Sequence, residues 1–76
     1  MAYQEIPIPP GSSNVQRVEY DPATGSLQVT FQRNGSRYVA DGVPGDVANG
    51  FTTSGMSAGK YYNFAIRDHY VITGPF

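Results

Sequence analysis

Between positions 15 and 41 apolar and polar residues alternate with the period of a β-strand. Val15 to Tyr20 predicts a first strand with Val18 and Tyr20 on one face. It stops at Asp21-Pro22-Ala23-Thr24-Gly25, where proline suits a type I turn and Gly25 can take the positive φ that follows. Ser26 to Arg33 sets Leu27, Val29 and Phe31 inward against Gln28, Thr30 and Gln32 outward. Asn34-Gly35 is a strong signal for a two-residue type I′ turn, because both of its central positions need positive φ. That turn would pair Phe31 with Tyr38 and Val29 with Ala40, all on one face. The expectation is a three-stranded antiparallel meander from Val15 to about Asp41.

Past the meander the period changes. Val43, Val47 and Phe51 are spaced by four, with Pro44 at a first helical position, which predicts a short helix weakened by its glycines. Thr52 to Gly59 reads as a loop of small residues. In the next segment Tyr62, Phe64 and Ile66 alternate like a strand, yet Tyr62 and Ile66 equally suit a helix, so residues 60–67 stay open. Tyr70 to Thr73 fits a last short strand. Upstream, Ile6-Pro7-Ile8-Pro9-Pro10 can neither enter a helix nor pair as a central strand. Residues 1–11 therefore read as an extended arm, free to lie across a neighbouring subunit, and residues 12–76 as a single domain. The fold class is α+β: a small antiparallel meander of about three to four strands with one or two short helices packed on it.

Composition narrows the function. The chain has 76 residues, 39% hydrophobic and 14% charged, which suits a folded domain and is too apolar for a disordered one. Lys+Arg 5 against Asp+Glu 6 gives a net charge of -1, so there is no global positive field to hold duplex DNA. The absence of cysteine removes disulfides, thiolate nucleophiles and cysteine-based zinc sites. Neither a signal peptide nor a membrane span is expected, and the chain reads as cytoplasmic. A domain of this size buries only about 60% of its unfolded surface. With 6 Tyr and 4 Phe to hide and no disulfide staple, a homo-oligomer is expected.

Catalytic sets are missing from the sequence. His69 is the lone histidine and has no cysteine or Gly-x-Ser-x-Gly serine to activate. The carboxylates Glu5, Glu19, Asp21, Asp41, Asp46 and Asp68 are scattered, mostly at turns, and offer neither an acid pair nor a metal cluster. Gly55-Met56-Ser57-Ala58-Gly59-Lys60 resembles a phosphate-binding loop only superficially. Its glycines are one residue too close, and Tyr61 follows Lys60 where serine or threonine is needed. No enzyme and no cofactor are expected.

The stretch from Ser57 to Tyr70 is richer. It concentrates Ser57, Lys60, Tyr61, Tyr62, Asn63, Arg67 and His69, a mixture of cations, aromatics and an amide that suits a compact, planar anion. The alternative is structural: Tyr62, Phe64 and Ile66 as core, Asn63 in a turn, and Arg67 paired with Asp68 or another carboxylate.

Taken in order, Ser12-Ser13-Asn14, Val18-Glu19-Tyr20-Asp21, Leu27-x-Val29-x-Phe31, Gly35, Tyr38, Val43-Pro44 and Ser57-x-Gly59-x-Tyr61-Tyr62-Asn63-x-x-Ile66-Arg67-x-x-Tyr70 resemble the KTSC domain. That family is named for the C-terminal extension of some lysyl-tRNA synthetases and also occurs as free-standing bacterial and phage proteins. The likeness runs from about Ser12 to Thr73. One departure is that the family's Tyr-x-Tyr in the third strand is Tyr38-Val39-Ala40 here. For that family RNA binding is the usual suggestion and no function is settled, and five cations are few for a long backbone.

In kind, a tiny cysteine-free, tyrosine-rich oligomer is also similar to phage sponge proteins that bind cyclic nucleotide signals without hydrolysing them. The leading expectation is thus a non-enzymatic module that binds and sequesters cyclic nucleotides. Arg67 and Lys60 would meet phosphate, Tyr61 or Tyr62 would stack on a base, and Asn63 and Ser57 would supply hydrogen bonds. Ser12, Ser13 and Asn14 would close the site. The alternatives are a structural or protein-binding component, such as a minor virion protein, and an RNA-binding domain.

Overall fold

The computed structural model describes residues 3–9, 14–33 and 35–76. Its centre is a five-stranded antiparallel sheet whose strands follow one another in sequence order. They are β1 (Gln4–Glu5), β2 (Val15–Asp21), β3 (Ser26–Phe31), β4 (Arg37–Ala40) and β5 (Ile72–Thr73). Between β4 and β5 come helix α1 (Gly45–Thr53), helix α2 (Ala58–Tyr61) and a π-helical segment over Tyr62–Ile66 that continues α2. Fold class and meander are as the alternation predicts. The additional strand is β1, two residues long and too short to leave a periodic trace, while β5 falls within the last short strand expected over Tyr70 to Thr73.

One face of the sheet carries Val18, Leu27, Val29 and Ala40, all buried. Phe51, Ala58, Tyr61, Tyr62 and Ile66 close over them from the helical side. Each fully buried Leu, Val, Ile or Phe contributes about 1.5–3 kcal/mol, so this single interface carries most of the fold. Arg17, Glu19, Gln28, Thr30, Arg37 and Val39 alternate with the core residues, and none of them is buried.

The two central hairpins share one loop design. Asp21 pairs with Ser26 across Pro22–Gly25, and the amide of Gly25 donates to the Asp21 carbonyl at 2.8 Å. In the next hairpin the amide of Phe31 donates to the Ser36 carbonyl at 2.9 Å, and Gly35 donates back to Phe31 at 3.1 Å. Each loop ends on a glycine in the left-handed region, Gly25 at φ 76° and Gly35 at φ 70°. The second hairpin therefore has a four-residue loop where a two-residue turn is expected, and the pairing moves by two: Val29 faces Tyr38 and Leu27 faces Ala40. A slip of two keeps every side chain on its own face, which is why the alternation alone does not detect it. Asn34 lies outside the described residues.

Asp21 also accepts the Ala23 amide at 3.0 Å through its side chain, so its burial is compensated. The turn then serves a second partner, because the Val43 amide donates to Gly25 at 2.9 Å. Tyr20 donates its hydroxyl to the Val43 carbonyl, and the start of α1 is held against the sheet at both groups. Pro44 is the N-cap of α1, one position before the first helical residue.

The arm is extended in its described part, but it lies on its own chain. Gln4 and Glu5 pair with Tyr20 and Glu19. Ile6 is buried and donates to Val18 at 2.8 Å, while Thr52 donates its hydroxyl to the Pro7 carbonyl at 2.6 Å. Among the described residues, no helix is long and apolar enough to cross a membrane.

Candidate functional site

At the loop end of the β3–β4 hairpin the helical layer stops short, and the core face continues as an open cleft of about 680 Å³. Its floor is aromatic. The Phe31 ring lies edge-to-face with both Tyr38, at 5.5 Å between centroids, and Tyr62, at 5.4 Å. Both contacts are near perpendicular, at 81° and 82°, the favoured edge-to-face geometry. Phe31 and Tyr38 are half-buried, so ring surface stays available to a ligand.

Polar groups rim this floor: Asn14, Arg33, Ser36, Asn63, Arg67 and Asp68, with Ile72 completing the wall. Three elements deliver them. Asn14 sits where β2 begins, accepting the Gln32 amide at 3.1 Å through its carbonyl. Gly59 of α2 packs so close that a Cβ there would touch the Asn14 Cβ at 3.4 Å. Arg33 rides on the four-residue loop. Asn63, Arg67 and Asp68 come from the π segment and the turn after it.

The π segment sets that last group. The Arg67 amide donates to the Tyr62 carbonyl at 2.9 Å, five residues back, so the turn is one residue wider than an α-turn. Tyr61, Tyr62 and Ile66 are all buried, while Asn63 and Arg67 stay exposed at the cleft. The open question over residues 60–67 resolves as helical, and Phe64, expected inward by alternation, is 68% exposed.

Electrostatics agree with this placement. Burial pushes the Tyr62 phenol above its usual range, and Tyr38 beside it pushes the same way. Arg67 opposes them, which places its guanidinium within electrical reach of the aromatic floor. Arg67 makes no ion pair with Asp68 or any other carboxylate among the described residues. Two guanidinium groups thus share one cleft with three rings.

Of the residues expected to bind, Asn14, Tyr62, Asn63 and Arg67 meet here. Ser57, Lys60 and Tyr61 do not. Ser57 caps α2, its Oγ accepting the Lys60 amide at 3.4 Å, and Lys60 is exposed away from the cleft. Tyr61 is a packing residue: its ring lies 4.7 Å from that of Phe51 and its hydroxyl donates to the Val47 carbonyl at 2.6 Å. Its phenol is also raised, by burial first and by Tyr70 and Asp46 after it. Ser12 and Ser13 lie outside the described residues.

Sequence reasoning missed Phe31, Tyr38, Arg33, Ser36 and Asp68. The first two alternate as core residues, and the available signal was positional: they lie at the hairpin end that the short helices leave uncovered. A second, shallower hollow of about 330 Å³ is walled by Val47, Phe64 and Tyr70, with His69 on its rim. Among the described residues, no group of three or more His, Cys, Asp or Glu could hold a metal ion.

No curated protein matches the chain. Among solved structures, it is similar to a KTSC domain protein from Yersinia pestis at 28% identity, with a TM-score of 0.77 over 95% of this chain and 96% of the other. The KTSC domain family model matches residues 11–70, which take in the whole meander, both helices and nearly all of the cleft's rim. A match of that extent makes the chain a member of the KTSC domain family.

Proposed function

We propose that this chain is a non-enzymatic binding module whose cleft holds a small anion with a planar group, a nucleotide. Its most concrete form is a phage-type homo-oligomer that sequesters cyclic nucleotide signals in the cytoplasm of a host bacterium. The observation that carries the reading is the presence of Arg33 and Arg67 in one cleft with the Phe31, Tyr38 and Tyr62 rings. Guanidinium groups match phosphate oxygens in pairs, and ring faces accept bases. A volume of about 680 Å³ falls within the range of small-molecule clefts. Asn14 and Asn63 add amides that can both donate and accept.

The test is a thermal melt of the full chain against mononucleotides and cyclic dinucleotides. Ligand at a hundred times its dissociation constant stabilises the folded state by about 2.7 kcal/mol. In a domain this small each kcal/mol moves the midpoint by roughly 4–8 °C. A shift for one nucleotide class supports the reading, and no shift across the panel overturns it. Binding that collapses steeply with added salt and strengthens with strand length would instead identify single-stranded RNA.

One observation favours a second reading, a protein-binding component such as a minor virion protein. Phe64, Val71 and Phe76 are 68%, 76% and 63% exposed, large apolar groups suited to contact with another chain. Phe64→Ser tests it by sedimentation across a concentration series. Deleting the arm would not serve, because Ile6 is part of the core.

A further inference from the structure

The cleft holds one group that a phosphate site alone does not need. Asp68 lines it beside Arg67, and its carboxylate has no hydrogen-bond or ion-pair partner among the described residues. A free carboxylate repels a phosphate, so its place in a site that attracts anions calls for a different contact. An ionised carboxylate presents acceptors only. It therefore selects a ligand edge made of donors.

We infer that Asp68 makes the cleft selective for guanine, an inference that rests on the nucleotide reading above. Guanine carries two adjacent donors on its Watson–Crick edge, the N1–H and the N2 amino group, at the spacing of two carboxylate oxygens. Adenine sets a bare N1 acceptor beside its amino donor, so a carboxylate there faces one lone pair with another. Cytosine has the same defect, an amino donor next to the N3 acceptor. The remaining polar side chains do not discriminate in this way. Asn14, Ser36 and Asn63 can each donate or accept, and Arg33 and Arg67 can only donate.

The ligand is thereby oriented. Its phosphate lies with the guanidinium groups, its ring on the aromatic floor, and its donor edge at Asp68. Formal charge in the cleft remains positive, two guanidinium groups against one carboxylate. Guanine in place of adenine thus adds contacts without weakening the hold on phosphate.

Calorimetry of the full chain with GMP, IMP and AMP separates the contributions, because the three carry the same phosphate. IMP keeps the N1–H and lacks the N2 amino group. The expected order of affinity is GMP, then IMP, then AMP, with about tenfold or more between the first and last, as for other bidentate base contacts. Cyclic di-GMP should exceed cyclic di-AMP in the same sense. Asp68→Asn replaces one acceptor by a donor and should abolish the preference while AMP binds as well as before or better. Asp68 is exposed, so the unliganded melting temperature of that variant should stay at the wild-type value. Equal affinity for GMP and AMP overturns the inference and leaves the nucleotide reading standing. So does a guanine preference that survives in Asp68→Asn. Failure of all these nucleotides to bind overturns both.

Discussion

The phenol ring of Tyr61 lies where a side chain on Gly50 would have to go. A Cβ built on Gly50 overlaps the ring and hydroxyl of Tyr61, and that hydroxyl is fixed by its bond to Val47 on the same helix. The glycine in the middle of α1 is therefore a docking notch for α2. Gly50→Ala, a substitution that normally strengthens a helix, should destabilise this protein by about 1–3 kcal/mol through overpacking. Chemical denaturation checks it. Combining it with Tyr61→Ala should cost much less than the sum of the two single changes, because both act on one contact.

Tyr61 and Tyr62 adjoin in sequence and differ in role. Tyr61→Phe should cost about 0.5–1.5 kcal/mol, from the lost bond to Val47, with ligand affinity unchanged. Tyr62→Ala should weaken the ligand by removing one wall of the aromatic floor. Paired melts and titrations of the two variants distinguish stability from binding.

The cations separate in the same way. Arg67→Ala and Arg33→Ala should each reduce nucleotide affinity by roughly tenfold to a hundredfold, the worth of a charge-assisted contact at about 1.5–3 kcal/mol. Lys60→Ala should leave affinity unchanged, since Lys60 is not on the cleft. A Lys60 effect as large as that of Arg67 would contradict this division.

Alkaline pH should destabilise the fold through the same two phenols. Burial raises both Tyr61 and Tyr62 above the usual value near 10.0. Between the unfolded and folded values the unfolded chain has released protons that the folded one keeps. Stability is therefore fully present below pH 10 and falls as pH rises through the raised values. The melting temperature from pH 8 to 11 should turn down past 10, and less steeply in Tyr61→Phe.

The arm should matter to folding in the isolated chain. Ile6 is 8% exposed within the core cluster, so Ile6→Ala should cost about 2–4 kcal/mol. A variant that melts like wild type would show that the arm does not hold this position in solution.

Much of this architecture is legible in the alternation of residues 15–41, which gives the strands and their buried face. The register of the second hairpin is not, since Asn34-Gly35 suits a two-residue turn as well as the end of a four-residue loop. The loop ending on Gly25 carries the same design and is the better guide. The helical nature of residues 60–67 is hidden by Tyr62, Phe64 and Ile66, whose spacing of two imitates a strand; the bond from the Arg67 amide to the Tyr62 carbonyl and the exposure of Phe64 separate the readings. Half of the candidate site follows from the density of Asn63, Arg67 and Tyr62 along the chain. The other half comes from Arg33, Tyr38 and Phe31, which are brought there by tertiary packing and are far from that stretch in sequence.

The sheet's outer strands have a consequence for how copies of this protein could meet. β1 and β5 are two residues long, Pro7 lies two residues past the end of β1, and Pro75 beyond β5 has no amide hydrogen to donate. Each flank thus offers an incoming strand only a short row of backbone groups, which disfavours growth into continuous ribbons or fibrils. Encounters are steered to side chains, where Phe64 and Val71 stand out from the surface. Such contacts can be tuned or abolished one residue at a time, whereas a ladder of main-chain bonds cannot.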